Sequence, residues 1–202
     1  ELELARFDES DMKTLLQTSA LAHFAPWLRR VRALAPYQLA PEIEQMIAER
    51  APTGSAAWVR LFDETTTSMR FPFDGREVTE AEILDALSHA DAATRAEAGQ
   101  SLSTTLKSHE RLLSLTLNTI AKDKQIEDGW RGFNRPVASR NLANDVDDAV
   151  VDALVAAVNQ RNVDLTHRYY QLKAKWMGVK HLNWWDRNAP LPGDDDRQFS
   201  WD

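Results

Sequence analysis

Cysteine is absent from the 202 residues. Its absence excludes disulfides, thiolate metal ligands and cysteine nucleophiles, and it suits a reducing, cytoplasmic setting. Glycine and proline are scarce, at seven and eight residues, which argues against a low-complexity or disordered chain. No run of about 18 apolar residues occurs, so no membrane span is expected. No basic stretch leads into an apolar one at the start, so no signal peptide is legible. Positive charge is outnumbered: 24 Lys and Arg face 31 Asp and Glu, for a net charge of −7. That balance disfavours the nucleic-acid backbone as a main partner. The phosphate-cradling patterns GxGxxG and GxxxxGK[ST] and the nucleophile elbow GxSxG are all missing, which leaves nucleotide binding and serine-hydrolase chemistry without support.

What is present is helical periodicity. Met12, Leu15 and Leu16 form one apolar stripe, and Phe24, Trp27, Leu28, Val31 and Leu34 form a second at spacings of three and four. Pro36 ends or kinks the second helix. Pro41 stands in the first turn of a third, where a missing amide costs nothing. After the break "APTG" (51–54), Ser55 caps a short helix carrying Trp58, Leu61 and Phe62. Alternation then replaces the helical period: Met69, Phe71 and Phe73 share one face, and Asp74-Gly75 supplies a two-residue hairpin turn. Pro72 confines that hairpin to an edge or to isolation. "TEAE" (79–82) is a capping box that restarts helix. Ser88 or Asp91 caps a long helix expected to reach about Lys124. Asn144, followed by Asp145, Asp147 and Asp148, caps another that runs to Met177 and stops at Gly178. The fold class expected is all-α with one small β-hairpin near 69–78, organised as segments 1–54, 55–78, 79–177 and 178–202. The last segment is irregular, yet four of the seven Trp (176, 184, 185 and 201) lie close to or within it. An exposed tryptophan-rich segment marks an interface, and the expected partner is further polypeptide. "ELELARF" opens already in helical register, and Ser200-Trp201-Asp202 reads as a helix start without its helix. Both ends therefore read as cuts in a longer chain.

One stretch approaches a catalytic signature. "HERLL" (109–113) is a single substitution from HExxH, in which two His one turn apart hold zinc and Glu acts as base. Leu113 occupies the position of the second His. Leu102, Leu106, His109, Leu113, Leu117 and Ile120 follow one another at spacings of 4, 3, 4, 4 and 3, so His109 reads as a core-facing residue with a local hydrogen-bond partner. His167 and His181 are 14 residues apart on different expected elements, and His23 and His89 have no liganding pattern around them. Asp194, Asp195 and Asp196 are the types that hold a hard cation but read more simply as a solvated loop. In "RYYQLKAKW" (168–176), Tyr169, Leu172 and Trp176 share a helical face, as do Tyr170 and Lys173. The aromatic–basic mixture suits nucleic-acid contact, but the spacing and the negative charge favour an aromatic core seam with cations near the helix C-terminus.

Several longer segments resemble, in order, the oligoendopeptidase F branch of the thimet-oligopeptidase-like zinc metallopeptidases. These are "AAWVRLFDETTTSMRFPFDG" (56–75), "LSHADAATRAEAGQSL" (87–102), "NTIAKDKQIEDGWRGFNRPVASRNLANDVDDAVVDALV" (118–155) and "HRYYQLKAKWMGVKHLNWWDRNAPLP" (167–192). The resemblance implies a mainly helical N-terminal part whose long antiparallel helices form one wall of a peptidase cleft. It implies zinc in the full-length enzyme, short peptides as substrates and a C-terminal catalytic domain as partner. In that family the HExxH helix lies C-terminal to the segment matched by "DRNAPLP", so none of its catalytic or metal residues maps onto this chain. The chain alone is accordingly expected to bind no zinc and to hydrolyse nothing. The competing expectation is a stand-alone helical interaction module without enzymatic activity.

Overall fold

In a computed structural model, the structure describes residue 4, residues 7–18 and residues 22–193. Asp194–Asp196 and the expected helix start at Ser200–Asp202 lie outside the described residues. The chain folds as two compact units, one within residues 1–58 and 118–157, the other within 59–117 and 158–202. Among the described residues it is mainly helical with one small antiparallel sheet, as expected.

The first unit contains α1 (Glu9–Leu16), α2 (Ala25–Ala33) and α3 (Pro41–Arg50). Asp8 caps α1 through the Ser10 amide at 2.8 Å. Met12, Leu28 and Val31 are the buried apolar residues of these helices, whereas Phe24 and Trp27 remain exposed. The expected second stripe is therefore buried only at its centre. Arg131 holds this unit together at a distance in sequence. Its guanidinium donates to both carboxylate oxygens of Glu44 at 2.7 and 3.0 Å and to Glu127 at 2.7 Å. Beside it, Tyr37 stacks on Phe133 with ring centroids 4.0 Å apart.

The helix expected over 144–177 begins later. A short helix, α8 (Ala138–Ala143), precedes it, and Asn144 closes that helix instead of opening the next. Asp145 adopts φ 54°, and the amides of Asp145 and Val146 return to the Leu142 and Asn141 carbonyls. That pair of bonds is a helix-terminating motif built on a left-handed residue. The acidic start then shifts to α9 (Asp148–Trp176). Arg135 pins its first turns by bonding Asp152 at 2.6 Å and Asp148 at 3.1 Å. At the far end Gly178 takes φ 68°, the expected stop.

The second unit carries the larger core. It includes α4 (Ser55–Ser68) from residue 59 onward, β1 (Phe71–Phe73), β2 (Arg76–Val78), α5 (Glu80–Ala86) and α6 (Ala92–Ser108). Asp74 and Gly75 have φ of 50° and 71°, as the hairpin turn requires, and the register pairs Phe71 with Val78. Thr79 and Glu82 form the reciprocal cap of α5. Asp91 caps α6 through the Thr94 amide at 2.8 Å. Met69, Phe71, Val78, Ile83, Ala86, Leu87, Ala98 and Leu102 are buried together. The sheet face and two helices thus share one apolar centre.

The long helix expected through residue 109 is broken there. α6 ends at Ser108, and α7 runs Glu110–Arg131. The His109 amide turns to the Leu106 carbonyl, one residue short of the α-helical partner. The Thr105 carbonyl it leaves accepts from Ser108 Oγ at 2.7 Å and lies 3.0 Å from His109 Nδ1. Two adjacent side chains compete for one backbone acceptor, which is a local cause for the kink. The expected stripe divides accordingly: Leu102 is buried and Leu113 packs against the core, while Leu106 and Leu117 are 37 % and 68 % exposed.

Candidate functional site

The second unit has a buried polar centre that binds two distant stretches of sequence. Arg95 lies one turn beyond the Asp91 cap, so the geometry of α6 sends it inward, where it is 2 % exposed. Its Nε and Nη2 donate to Asp186 Oδ1 at 3.1 and 2.9 Å. Its Nη1 donates to the carbonyls of His89 and Ala90, both at 2.8 Å. Asp186 is held from the other side by the Asn183 amide at 2.9 Å, within a single 3-10 turn at Trp184–Asp186. Lys173, on the buried face of α9, donates to the Arg187 carbonyl at 2.7 Å. A cation expected near the helix C-terminus is therefore interior, and it anchors the residue next to Asp186.

The electrostatics follow from this packing. Burial alone would raise the Asp186 carboxyl, but the bonds from Asn183 and the Arg95 guanidinium hold it below the ordinary carboxylate value. Burial, reinforced by repulsion from Arg95, pushes the Lys173 ammonium below its ordinary value, and Asp186 partly opposes this.

Tryptophan completes the junction. A Cβ placed on Gly99 would lie 2.9 Å from Trp185 Cε3 and 3.2 Å from Trp184 Cζ2. Gly99 is thus the gap in α6 that admits the indoles. Part of the tryptophan-rich segment expected to need further polypeptide finds its partner within this chain. The face of Tyr169, Leu172 and Trp176 does not: these residues are 48 %, 43 % and 49 % exposed. The expected core seam is replaced by Lys173 and Ala174, which are buried on the adjacent face.

The histidines are placed as follows. His109 is half-buried at the kink and bonded locally, while Glu110 is exposed. His89 Nδ1 accepts from the Asp91 amide at 3.0 Å. His23 meets Phe24 edge to face. His167 and His181 come together on the wall of one cavity, which their separation in sequence did not suggest. Among the described residues no three His, Asp or Glu side chains converge as metal ligands. The described residues therefore do not fit a zinc site, and no chemistry is derived through one.

Nothing in the sequence shows that Arg95, Gly99, Trp185 and Asp186 meet. "ATRAEAG" supplies the arginine and the gap, and "NWWDR" supplies the indole and the carboxylate. Two of the stretches that carried the family resemblance are the two halves of one joint.

Known proteins share the chain's sequence and fold to the following extent. A family model described as oligopeptidase F matches residues 3–71. The group B oligopeptidase PepB of Streptococcus agalactiae is 26 % identical over a 209-residue alignment that includes 100 % of this chain. The chain resembles the N-terminal part of oligoendopeptidase F. The crystal structure of oligoendopeptidase-F from Enterococcus faecium superposes with a TM-score of 0.79 over 93 % of the chain at 19 % identity. A solved chain from Chlamydophila abortus gives the same TM-score over 94 % at 17 % identity. These likenesses establish the fold. The chain spans 34 % of the PepB relative and 38 % and 33 % of the two solved chains.

Proposed function

We propose that this chain is the N-terminal helical part of a zinc-dependent oligoendopeptidase that hydrolyses short peptides in the cytoplasm. The observation that carries the reading is the alignment with PepB, an oligopeptidase, along the whole of this chain and only a third of that protein. Its role is steric and conformational: one wall of a cleft that admits short peptides and excludes folded ones. The catalytic domain is its partner, with residues 178–202 as the passage into it. Exposed apolar residues on the part of α9 within the second unit, including Val158, Leu165 and Trp176, support a surface that further polypeptide covers. Zinc would polarise the scissile carbonyl and activate water in that remaining part. No described residue is assigned as a ligand or base.

The experiment compares the 202-residue chain with the full product of its reading frame, using quenched fluorescent peptides with and without a chelator. The full product is expected to cleave them in a chelator-sensitive way, and the 202-residue chain to cleave none. Chelator-sensitive hydrolysis by the short chain would overturn the division of roles.

A further inference from the structure

The second unit contains a cavity of about 650 Å³ between the last turns of α9 and the segment 180–188. Tyr170, Leu182, Trp184 and Trp185 give it apolar and aromatic walls. Lys180, Arg187, His167 and His181 supply its charged or chargeable groups, and no Asp or Glu lines it. In a chain with net charge −7, a cavity whose described lining groups that carry charge at or near neutral pH are all of the basic type is a local reversal of sign. Among the described residues, the carboxylate next in sequence does not pair with these groups. Asp186, the carboxylate adjacent to Arg187, is turned away to Arg95 and Asn183. Among the described residues, the side chains of Lys180, Arg187, His167 and His181 have no ion-pair or hydrogen-bond partner. The Arg187 backbone is fixed by Lys173, so its guanidinium extends from an anchored residue.

Such a volume suits a small ligand, and its mostly apolar lining with a few convergent polar groups is the usual make-up of a binding site. Lys180 and Arg187 come from the segment 180–188 and are interleaved with indoles, and His167 faces the same cavity from α9. That arrangement favours one negative charge joined to an apolar body. A polyphosphate would instead be cradled by successive backbone amides at a glycine-rich turn.

We propose that this cavity binds the C-terminal carboxylate of a short peptide ending in an aromatic or large apolar residue. Arg187 and Lys180 meet the carboxylate, and Trp184 and Trp185 hold the last side chain. The choice of a peptide as bearer of the carboxylate rests on the oligopeptidase reading; the preference for an apolar carboxylate does not.

The test uses the full product of the reading frame in the presence of a chelator, with the tripeptide Ala-Ala-Phe, its C-terminal amide and N-acetylphenylalanine as probes. Binding is read from the indole N–H signals of Trp184 and Trp185. The free acid is expected to shift both signals and to bind about tenfold more tightly than the amide, the ratio typical of one charge-assisted contact. Arg187→Gln combined with Lys180→Gln should abolish that preference, and Arg187→Lys should retain most of it. Circular dichroism matched to the parent shows that the variants are folded, and Trp184→Ala provides a second route to lost binding. Equal binding of acid and amide, or a preference that survives the double substitution, overturns the proposal. Charge-dependent binding of N-acetylphenylalanine without binding of the tripeptide overturns the peptide as occupant. The peptidase reading itself stands or falls on hydrolysis by the full gene product.

Discussion

Gly99 and Gly129 allow the same substitution to be tried twice with opposite expected signs. Both lie within helices, in α6 and α7. Replacing a helical glycine by alanine gains about 1 kcal/mol from backbone entropy and propensity when the site is free. At Gly129 nothing lies within 4 Å of the added carbon, so Gly129→Ala should raise stability by about 0.5–1 kcal/mol. At Gly99 the added carbon would meet Trp185 Cε3 at 2.9 Å and Trp185 Cβ at 3.1 Å. Both atoms belong to one side chain and one is next to its backbone, so a small ring rotation does not relieve the contact. Nor can the backbone retreat easily, because Asp186 is bonded to Arg95 and the Arg187 carbonyl to Lys173. Overpacking of this kind costs about 1–3 kcal/mol. Set against the propensity gain, Gly99→Ala should lose about 1 kcal/mol. For a chain of this length that corresponds to a melting temperature about 2–4 °C lower. Urea unfolding followed by circular dichroism and tryptophan fluorescence measures both variants. If Gly99→Ala is stabilised to the same degree as Gly129→Ala, Trp185 does not pack on α6 and the described joint is wrong.

Other outcomes follow from the same joint. Asp186→Ala leaves the Arg95 guanidinium buried without its carboxylate and should cost about 3–5 kcal/mol in urea unfolding, whereas Asp186→Leu combined with Arg95→Met should recover much of that. Because the fold lowers the Asp186 carboxyl, its contribution is complete at neutral pH and is lost as pH falls through the folded-state value. The stability gap between the parent and Asp186→Asn should therefore narrow in acid; a gap constant from neutral to strongly acidic pH would refute the assignment. Because the fold also lowers Lys173, the unfolded chain binds the extra proton between the two values, and stability should rise with pH across that alkaline interval. Lys173→Met should flatten the rise. His109→Leu removes one local side-chain bond and should cost about 1 kcal/mol or less, with the zinc content of the full gene product unchanged.

Much of the architecture was legible because it is encoded locally. The Asp74-Gly75 turn, the Thr79–Glu82 cap, the Asp91 cap and the Gly178 stop each depend on a few adjacent residues, and all four appear as expected. The misreadings arose where two local signals competed. Asn144 is a good helix start by residue type, but Asp145 in a left-handed conformation makes it a helix end. The apolar period through residue 109 was real, yet it could not show that Ser108 and His109 side chains would take the Thr105 carbonyl and break the helix. The candidate site was least legible, because its members are far apart. Arg95 and Asp186 are separated by 91 residues, and no periodicity links them. Lys173 shares a helical face with Tyr170 in the sequence, but nothing there marks it as buried, since lysine seldom lies buried without a partner. Its partner is a backbone carbonyl, which leaves no trace in residue type.

The reading proposed above makes this chain the helical N-terminal part of a peptidase whose chemistry lies elsewhere in the same polypeptide. Reading the coding sequence beyond Asp202, with the intact mass of the gene product, tests it most directly. The account predicts an uninterrupted frame with an HExxH helix within a few hundred residues and a mass to match. A stop codon at Asp202 with a product of 22.9 kDa would contradict it and favour the stand-alone helical module.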